Sequence, residues 1–198
     1  KIYLMNWQNI FKNYGYSLDK EIYIKCMGVG KLKVKEIFKT TFGDDLPIDI
    51  MYDEKVIYLE RYLKENEIEL KLGVVEILDF LRKNNYKVAL ATSSRRNRVE
   101  FLLEKYNIKD KFDFIVCGEE VKRYKPNPDI FLTALNKLNL DKEEVLIVED
   151  SKAGVLAGNN SCIKVIHIPD LIENDKEIEK LSFKVFSNLF ELKKFLKN

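Results

Sequence analysis

Several absences narrow this chain before any motif is read. No apolar run approaches the roughly 18 to 20 residues that a membrane-spanning helix requires, and no charged-then-apolar leader precedes a small-residue cleavage site. The expectation is a soluble cytoplasmic protein with no membrane partner. Cysteine is scarce: Cys26, Cys117 and Cys162 are odd in number, far apart and form no Cys-x-x-Cys, which argues against a disulfide framework or a zinc site. One histidine occurs, His167, inside the apolar run Val165-Ile166-His167-Ile168, where a structural role is expected over a catalytic one. An excess of one charge is also missing. Lys plus Arg (34) nearly balances Asp plus Glu (32), so the net charge of +2 gives no field that argues for nucleic acid. No Asp-x-Asp pair occurs anywhere.

What is present has two periodicities. From Ile2 to about Glu67 apolar residues recur at helical spacing, as in Trp7, Ile10, Phe11 and later Ile50, Val56, Ile57, Leu59, Tyr62, Leu63. Turn signals at Asn13 to Gly15, Gly28 to Gly30 and Gly43 to Pro47 cut this half into three to four helices, with one short strand-like alternation at Lys31 to Lys35. After Glu67 strands and helices alternate: helix 74–84, strand 87–91, helix 96–106, strand 114–116, helix 128–138, strand 145–148, helix 153–159, strand 164–168, terminal helix 189–197. That alternation predicts an α/β fold, a Rossmann-like parallel sheet wrapped by helices on both faces. The division is a helical domain over 1–68 and an α/β core over 69–198, placed by the change in period alone.

Chemistry gathers where predicted strands end. Val145-Leu146-Ile147-Val148 delivers Glu149 and Asp150 to the carboxyl edge of the sheet, where open α/β folds keep their ligands. Two adjacent carboxylates repel unless a positive charge sits beside them, and a hard divalent cation is the natural candidate. Asp150 as a cap of the following helix is the simpler alternative. Thr92-Ser93-Ser94-Arg95 lies between a strand and a helix, which suits a phosphate. There the competing reading is that Ser93 or Ser94 caps the helix, while Arg95, Arg96 and Arg98 favour an anion. Lys125 sits between Tyr124 and Pro126, and Pro126 and Pro128 fix the backbone on either side of Asn127, a rigid setting for an ammonium that must meet a fixed anion, although a surface lysine at a helix start fits equally.

Taken together, these segments resemble the haloacid dehalogenase superfamily, in particular its phosphatases and β-phosphoglucomutases with a helical cap. Ala89 to Ser94 resembles the second motif, Gly118-Glu119-Glu120-Val121 through Lys125-Pro126-Asn127-Pro128-Asp129-Ile130-Phe131 the third, and Ile147 to Gly154 with Ala157-Gly158 the fourth. His167-Ile168-Pro169-Asp170-Leu171 resembles the last strand and turn. The resemblance implies that Thr92 hydrogen-bonds the transferring phosphoryl oxygens, that Lys125 neutralises phosphate and nucleophile, and that Glu149 and Asp150 hold Mg²⁺. It further implies that Lys31, in Gly28-Val29-Gly30-Lys31, belongs to a cap loop that selects substrate, with Ser93, Ser94 and Arg95 as further substrate contacts.

The resemblance implies a Mg²⁺-dependent phosphatase acting on a small phosphorylated metabolite, a sugar phosphate among the candidates, through an aspartyl phosphate. A β-phosphoglucomutase is the alternative. The resemblance implies that the mutases carry histidine where Tyr3 falls and arginine where Lys31 falls, so both positions favour hydrolysis, while Ser94 and Arg95 would still suit a second phosphate. The family's first motif, Asp-x-Asp on a central strand, supplies the nucleophile, and it is not in these residues. Losing that strand would remove four or five buried side chains at about 1.5 to 3 kcal/mol each, on the order of a domain's whole stability of about 5 to 15 kcal/mol. The expectation is therefore a further segment of roughly 15 to 20 residues ahead of Lys1, a strand with its connection. If no such segment exists, the chain becomes a noncatalytic binding protein. No long exposed apolar face demands a partner, and a monomer is expected.

Overall fold

The structure, a computed structural model, describes residues 2–170 and 176–197. Leu171, assigned above to the last turn, lies outside the described residues. The chain separates into two compact units, Lys1–Glu69 and Leu70–Asn198.

The first unit contains α1 (Ile2–Asn13), α2 (Lys20–Ile24), α3 (Lys31–Phe42) and α4 (Ile48–Glu65). Trp7, Ile10 and Phe11 of α1 share one helical face and meet Phe38 of α3, with edge-on ring pairs at 5.0 Å (Trp7 to Phe38) and 4.9 Å (Phe11 to Phe38). The strand-like stretch at Lys31 to Lys35 is instead the start of α3. Val34 and Phe38 are buried four residues apart while Leu32 is exposed, so helical spacing overrides the short alternation. On α4 the buried face is Ile48, Met51, Lys55, Leu59 and Leu63, whereas Ile50 and Ile57 face solvent. A lysine holds a core position there. Its ammonium lies 5.3 to 5.4 Å from the ring centres of Tyr3, Trp7 and Tyr52.

The second unit runs α5 (Val74–Lys83), β1 (Ala89–Thr92), α6 (Arg96–Lys105), β2 (Phe114–Cys117), α7 (Asp129–Leu138), β3 (Leu146–Glu149), α8 (Lys152–Asn160), β4 (Lys164–His167), α9 (Lys176–Leu181), β5 (Lys184–Val185) and α10 (Leu189–Leu196). All its strand pairs are parallel. Helix α9 and strand β5 add to the predicted order, each being too short to set a period in the sequence. Along β4, Val165 enters a cluster with Ile147, Val155, Ile130 and Ile178, and Ile166 enters another with Ile77 and Leu192 on the opposite face. Helices therefore cover both faces, as a parallel sheet requires. Close packing of α8 needs Gly158, since a Cβ there would collide with Val165.

The strands form two sheets, β1-β2 and β3-β4-β5. Among the described residues, β1 and β3 each pair on one side only. Between them lies a cavity of about 530 Å³ lined by Val88 to Ala91 on one flank and Val145 to Val148 on the other. Residues of α5, α7 and α10 complete its walls. Leu146 and Val148 are 38% and 45% exposed, unusual for apolar residues on an interior-type parallel strand.

Candidate active site

Thr92 is the last residue of β1, in register with Cys117 at the end of β2. Its hydroxyl oxygen accepts from the Ser94 N–H at 3.2 Å, which tightens the turn into α6. Neither serine caps that helix: its N-cap is Arg95, with no side-chain cap bond. The turn is backed by Gly118, whose N–H donates to the Ser94 carbonyl at 3.1 Å. A Cβ at Gly118 would stand 2.6 Å from the Ser93 carbonyl oxygen, so this approach requires glycine. Arg95 is exposed. Arg96 is engaged elsewhere, donating to the Ile115 carbonyl at 2.9 Å and to Glu120, which removes it from the anion-binding candidates.

Lys125 is not a surface lysine: it is 7% exposed. It precedes a cis peptide bond to Pro126. The loop is pinned by Asn160, which donates to the Pro126 carbonyl at 2.9 Å, and by Asn127, which donates to the Tyr124 carbonyl at 3.0 Å. The Lys125 ammonium pairs with the Glu149 carboxylate and lies 4.7 Å from the centre of the Phe131 ring.

Glu149 and Asp150, adjacent in sequence, have different surroundings. Glu149 is buried, accepting from Ser151 Oγ at 3.1 Å and from the backbone N–H groups of Asp150 and Ser151 at 3.2 and 3.4 Å. It rests against the N-terminus of α8, where amide donors and the helix dipole favour a negative charge. Gly154 makes the space, since a Cβ there would overlap the Glu149 carboxylate. Ser151, rather than Asp150, caps α8 by accepting from the Gly154 N–H at 3.1 Å.

Asp150 therefore keeps its carboxylate for another purpose. One face is open to solvent while protein packs around the rest, and its carboxyl is pushed above the ordinary aspartate value. Confinement is the main cause, followed by the charges of Glu149 and Asp170, with Lys125 opposing. Asp170 carries no local signal of a place in the site. It pairs with Lys71, and only folding brings it near Asp150. An oxygen donor set with a surplus of negative charge suits Mg²⁺ better than a softer metal. The protein oxygens form a partial set: no group of three His, Cys, Asp or Glu is placed to hold an ion among the described residues.

His167, beside Glu149 in the ladder, is buried with neither ring nitrogen hydrogen-bonded among the described residues. Lys31 belongs to the helical unit, at the start of α3, 4.6 Å from the Tyr52 ring centre and 3.7 Å from Asp53.

The chain is 29% identical over 170 residues to a phosphorylated carbohydrates phosphatase from Thermotoga maritima, covering 84% of this chain and 76% of that protein. It is 33% identical over 161 residues to a bifunctional riboflavin kinase/FMN phosphatase from Arabidopsis thaliana, covering 80% of this chain but 41% of that longer protein. Among solved structures, the fold matches CbbY from Rhodobacter sphaeroides in complex with phosphate, with a TM-score of 0.80 at 24% identity over 96% of this chain and 88% of that one. It also matches β-phosphoglucomutase from Clostridium difficile, with a TM-score of 0.81 at 23% identity over 99% and 88%. The model of the haloacid dehalogenase-like hydrolases matches residues 1–168, and the chain belongs to that family.

Proposed function

We propose that this chain carries the phosphate and metal site of a Mg²⁺-dependent phosphatase that hydrolyses a small phosphomonoester, a sugar phosphate in the first instance, through an aspartyl phosphate. The observation that carries this reading is the buried Lys125–Glu149 pair beside the open carboxylate of Asp150, an arrangement that fixes one cation and leaves a place for another. The Thr92 hydroxyl would hold phosphoryl oxygens, and Lys125 would offset the charge that builds on them during transfer. Glu149 and Asp150 would hold Mg²⁺, directly or through water, with Glu149 also orienting Lys125 beside it. When bound, Mg²⁺ would supply Lewis-acid charge neutralisation at the phosphoryl oxygens. Cap residues including Lys31, with Ser93, Ser94 and Arg95 beside Thr92, would choose the substrate.

The nucleophile belongs, in this reading, on a strand seated between β1 and β3. The apolar cavity, the two half-paired strands and the exposed Leu146 and Val148 support such a strand. Its end would place an Asp-x-Asp pair beside Thr92 and Glu149. The first aspartate would attack phosphorus as the ester P–O bond breaks, and the second would protonate the leaving alkoxide. Water would then cleave the acyl phosphate, releasing inorganic phosphate and restoring the carboxylate.

Phosphate release from a panel of sugar phosphates, with and without Mg²⁺, tests the reading. Residues 1–198 should be inert alone and should hydrolyse phosphomonoesters once an apolar strand ending in Asp-x-Asp is supplied. Isomerisation of β-glucose 1-phosphate without net phosphate release would replace hydrolysis by mutase chemistry. Because residues 1–198 hold no Asp-x-Asp, a noncatalytic phosphate-binding protein is the second reading, and phosphate binding without turnover in the strand-supplied protein would select it.

A further inference from the structure

Glu120 touches none of the groups assigned above to phosphate or metal, yet it joins the segments that carry them. One oxygen accepts from the backbone N–H of Cys117 at 2.8 Å and from the Arg96 guanidinium. The other accepts from the Lys137 ammonium at 2.9 Å. Each donor sits on a different element. Cys117 ends β2 in register with Thr92, Arg96 opens the helix that follows the Thr92 turn, and Lys137 lies on α7, the helix that follows the Lys125 loop. Arg96 also holds the Ile115 carbonyl, so α6 is tied to β2 twice. Gly118, in the same short turn as Glu120, presses against the Ser93 carbonyl and donates to Ser94.

The carboxylate is also unsuited to moving protons near neutrality. Burial works against its charge, but the Cys117 N–H, Lys137 and Arg96 outweigh that and hold it down to about 2. A permanently ionised acceptor with three donors from three elements acts as a clamp.

We infer that Glu120 is a positioning residue that sets the distance between the Thr92 turn and the Lys125 ammonium, the two anion-recognising groups contributed by this unit. The inference rests on the phosphatase reading for its catalytic consequence, but not for its effect on anion binding. Thr92 and Lys125 approach the site from separate loops, and no direct contact between them is needed for Glu120 to act. When the clamp is loosened, each group keeps its chemistry and loses its alignment, and alignment is what phosphoryl transfer depends on.

The test compares Glu120→Gln with the parent in the catalytically complete protein. The substitution keeps the shape but removes the charge that holds Arg96 and Lys137. Glu191→Gln serves as control, since Glu191 likewise accepts a backbone N–H, from Ser187 at 2.9 Å, at a turn distant in sequence from these loops. Calorimetry with inorganic phosphate should show affinity lowered about tenfold in E120Q and unchanged in E191Q, and kcat for a sugar phosphate should fall about 10- to 100-fold, more than KM rises. Glu120→Asp, which keeps the charge on a shorter arm, should recover part of kcat. Parent-like phosphate affinity and kcat in E120Q would overturn the inference. So would a loss that only tracks the unfolded fraction and disappears at a temperature where both variants are fully folded. A parent that binds phosphate without turning over any phosphomonoester would sink the phosphatase reading, while the phosphate affinities would still judge Glu120.

Discussion

Each unit of this protein buries a lysine, and the two meet different groups. Lys55 in the helical unit is 6% exposed and faces the rings of Tyr3, Trp7 and Tyr52. Lys125 in the α/β unit is 7% exposed and faces a buried carboxylate whose other partners are the amides and hydroxyl at the start of α8. The rings attract the ammonium through their quadrupoles, worth about 0.5 to 2 kcal/mol. The Glu149 carboxylate depends on Lys125 more heavily, because removing that partner strands a charge away from water. The same residue type thus meets aromatic faces in one unit and a buried counter-charge in the other.

The strongest way to break this comparison is Lys125→Met. In the strand-supplied protein it should abolish measurable turnover and cost about 3 to 5 kcal/mol in urea unfolding by leaving Glu149 buried without its cation. Adding Glu149→Gln should recover much of that stability and none of the activity. Next is Gly154→Ala, which forces a methyl group into the space of the Glu149 carboxylate. Overpacking of this kind costs about 1 to 3 kcal/mol, and thermal melts should show the loss together with a weakened Mg²⁺ response.

Asp150→Asn separates the two carboxylates. The Asp150 carboxyl is raised in the folded protein, so its charge opposes folding at neutral pH, and that penalty is relieved as pH falls through the raised value. The asparagine variant should therefore melt higher than the parent in chelator and should lose the rise in Tm that Mg²⁺ gives the parent. Glu120 has the opposite sign. Its folded value of about 2 lies below the ordinary 4.5, so its contribution is complete above about pH 4.5 and disappears as pH falls toward 2. Acid titration of E120Q should lack that component.

Much of the second unit is legible in its residues. Its strand and helix order follows from the alternating periods, and the two prolines that follow Lys125, on either side of Asn127, mark that lysine as held in a fixed frame. The face of α4 is less legible, because Ile50 and Ile57 read as core while a lysine holds the buried position between Met51 and Leu59. No local pattern announces that rings will gather around an ammonium. Asp150 fits a helix cap by its position, but Ser151 takes that role, a shift of one residue that frees a carboxylate. Glu120 and Asp170 give no signal of their roles, since their partners lie far off in sequence. The division into two sheets is also illegible, because period reports which strands exist and not which neighbours they find.

The half-paired strands have a practical side. Among the described residues, β1 and β3 each leave one edge of N–H and C=O groups without a ladder partner, beside the apolar walls of the cavity. Such an edge accepts an extended apolar segment by strand addition, so a peptide of that kind should compete for the cavity and raise Tm on binding.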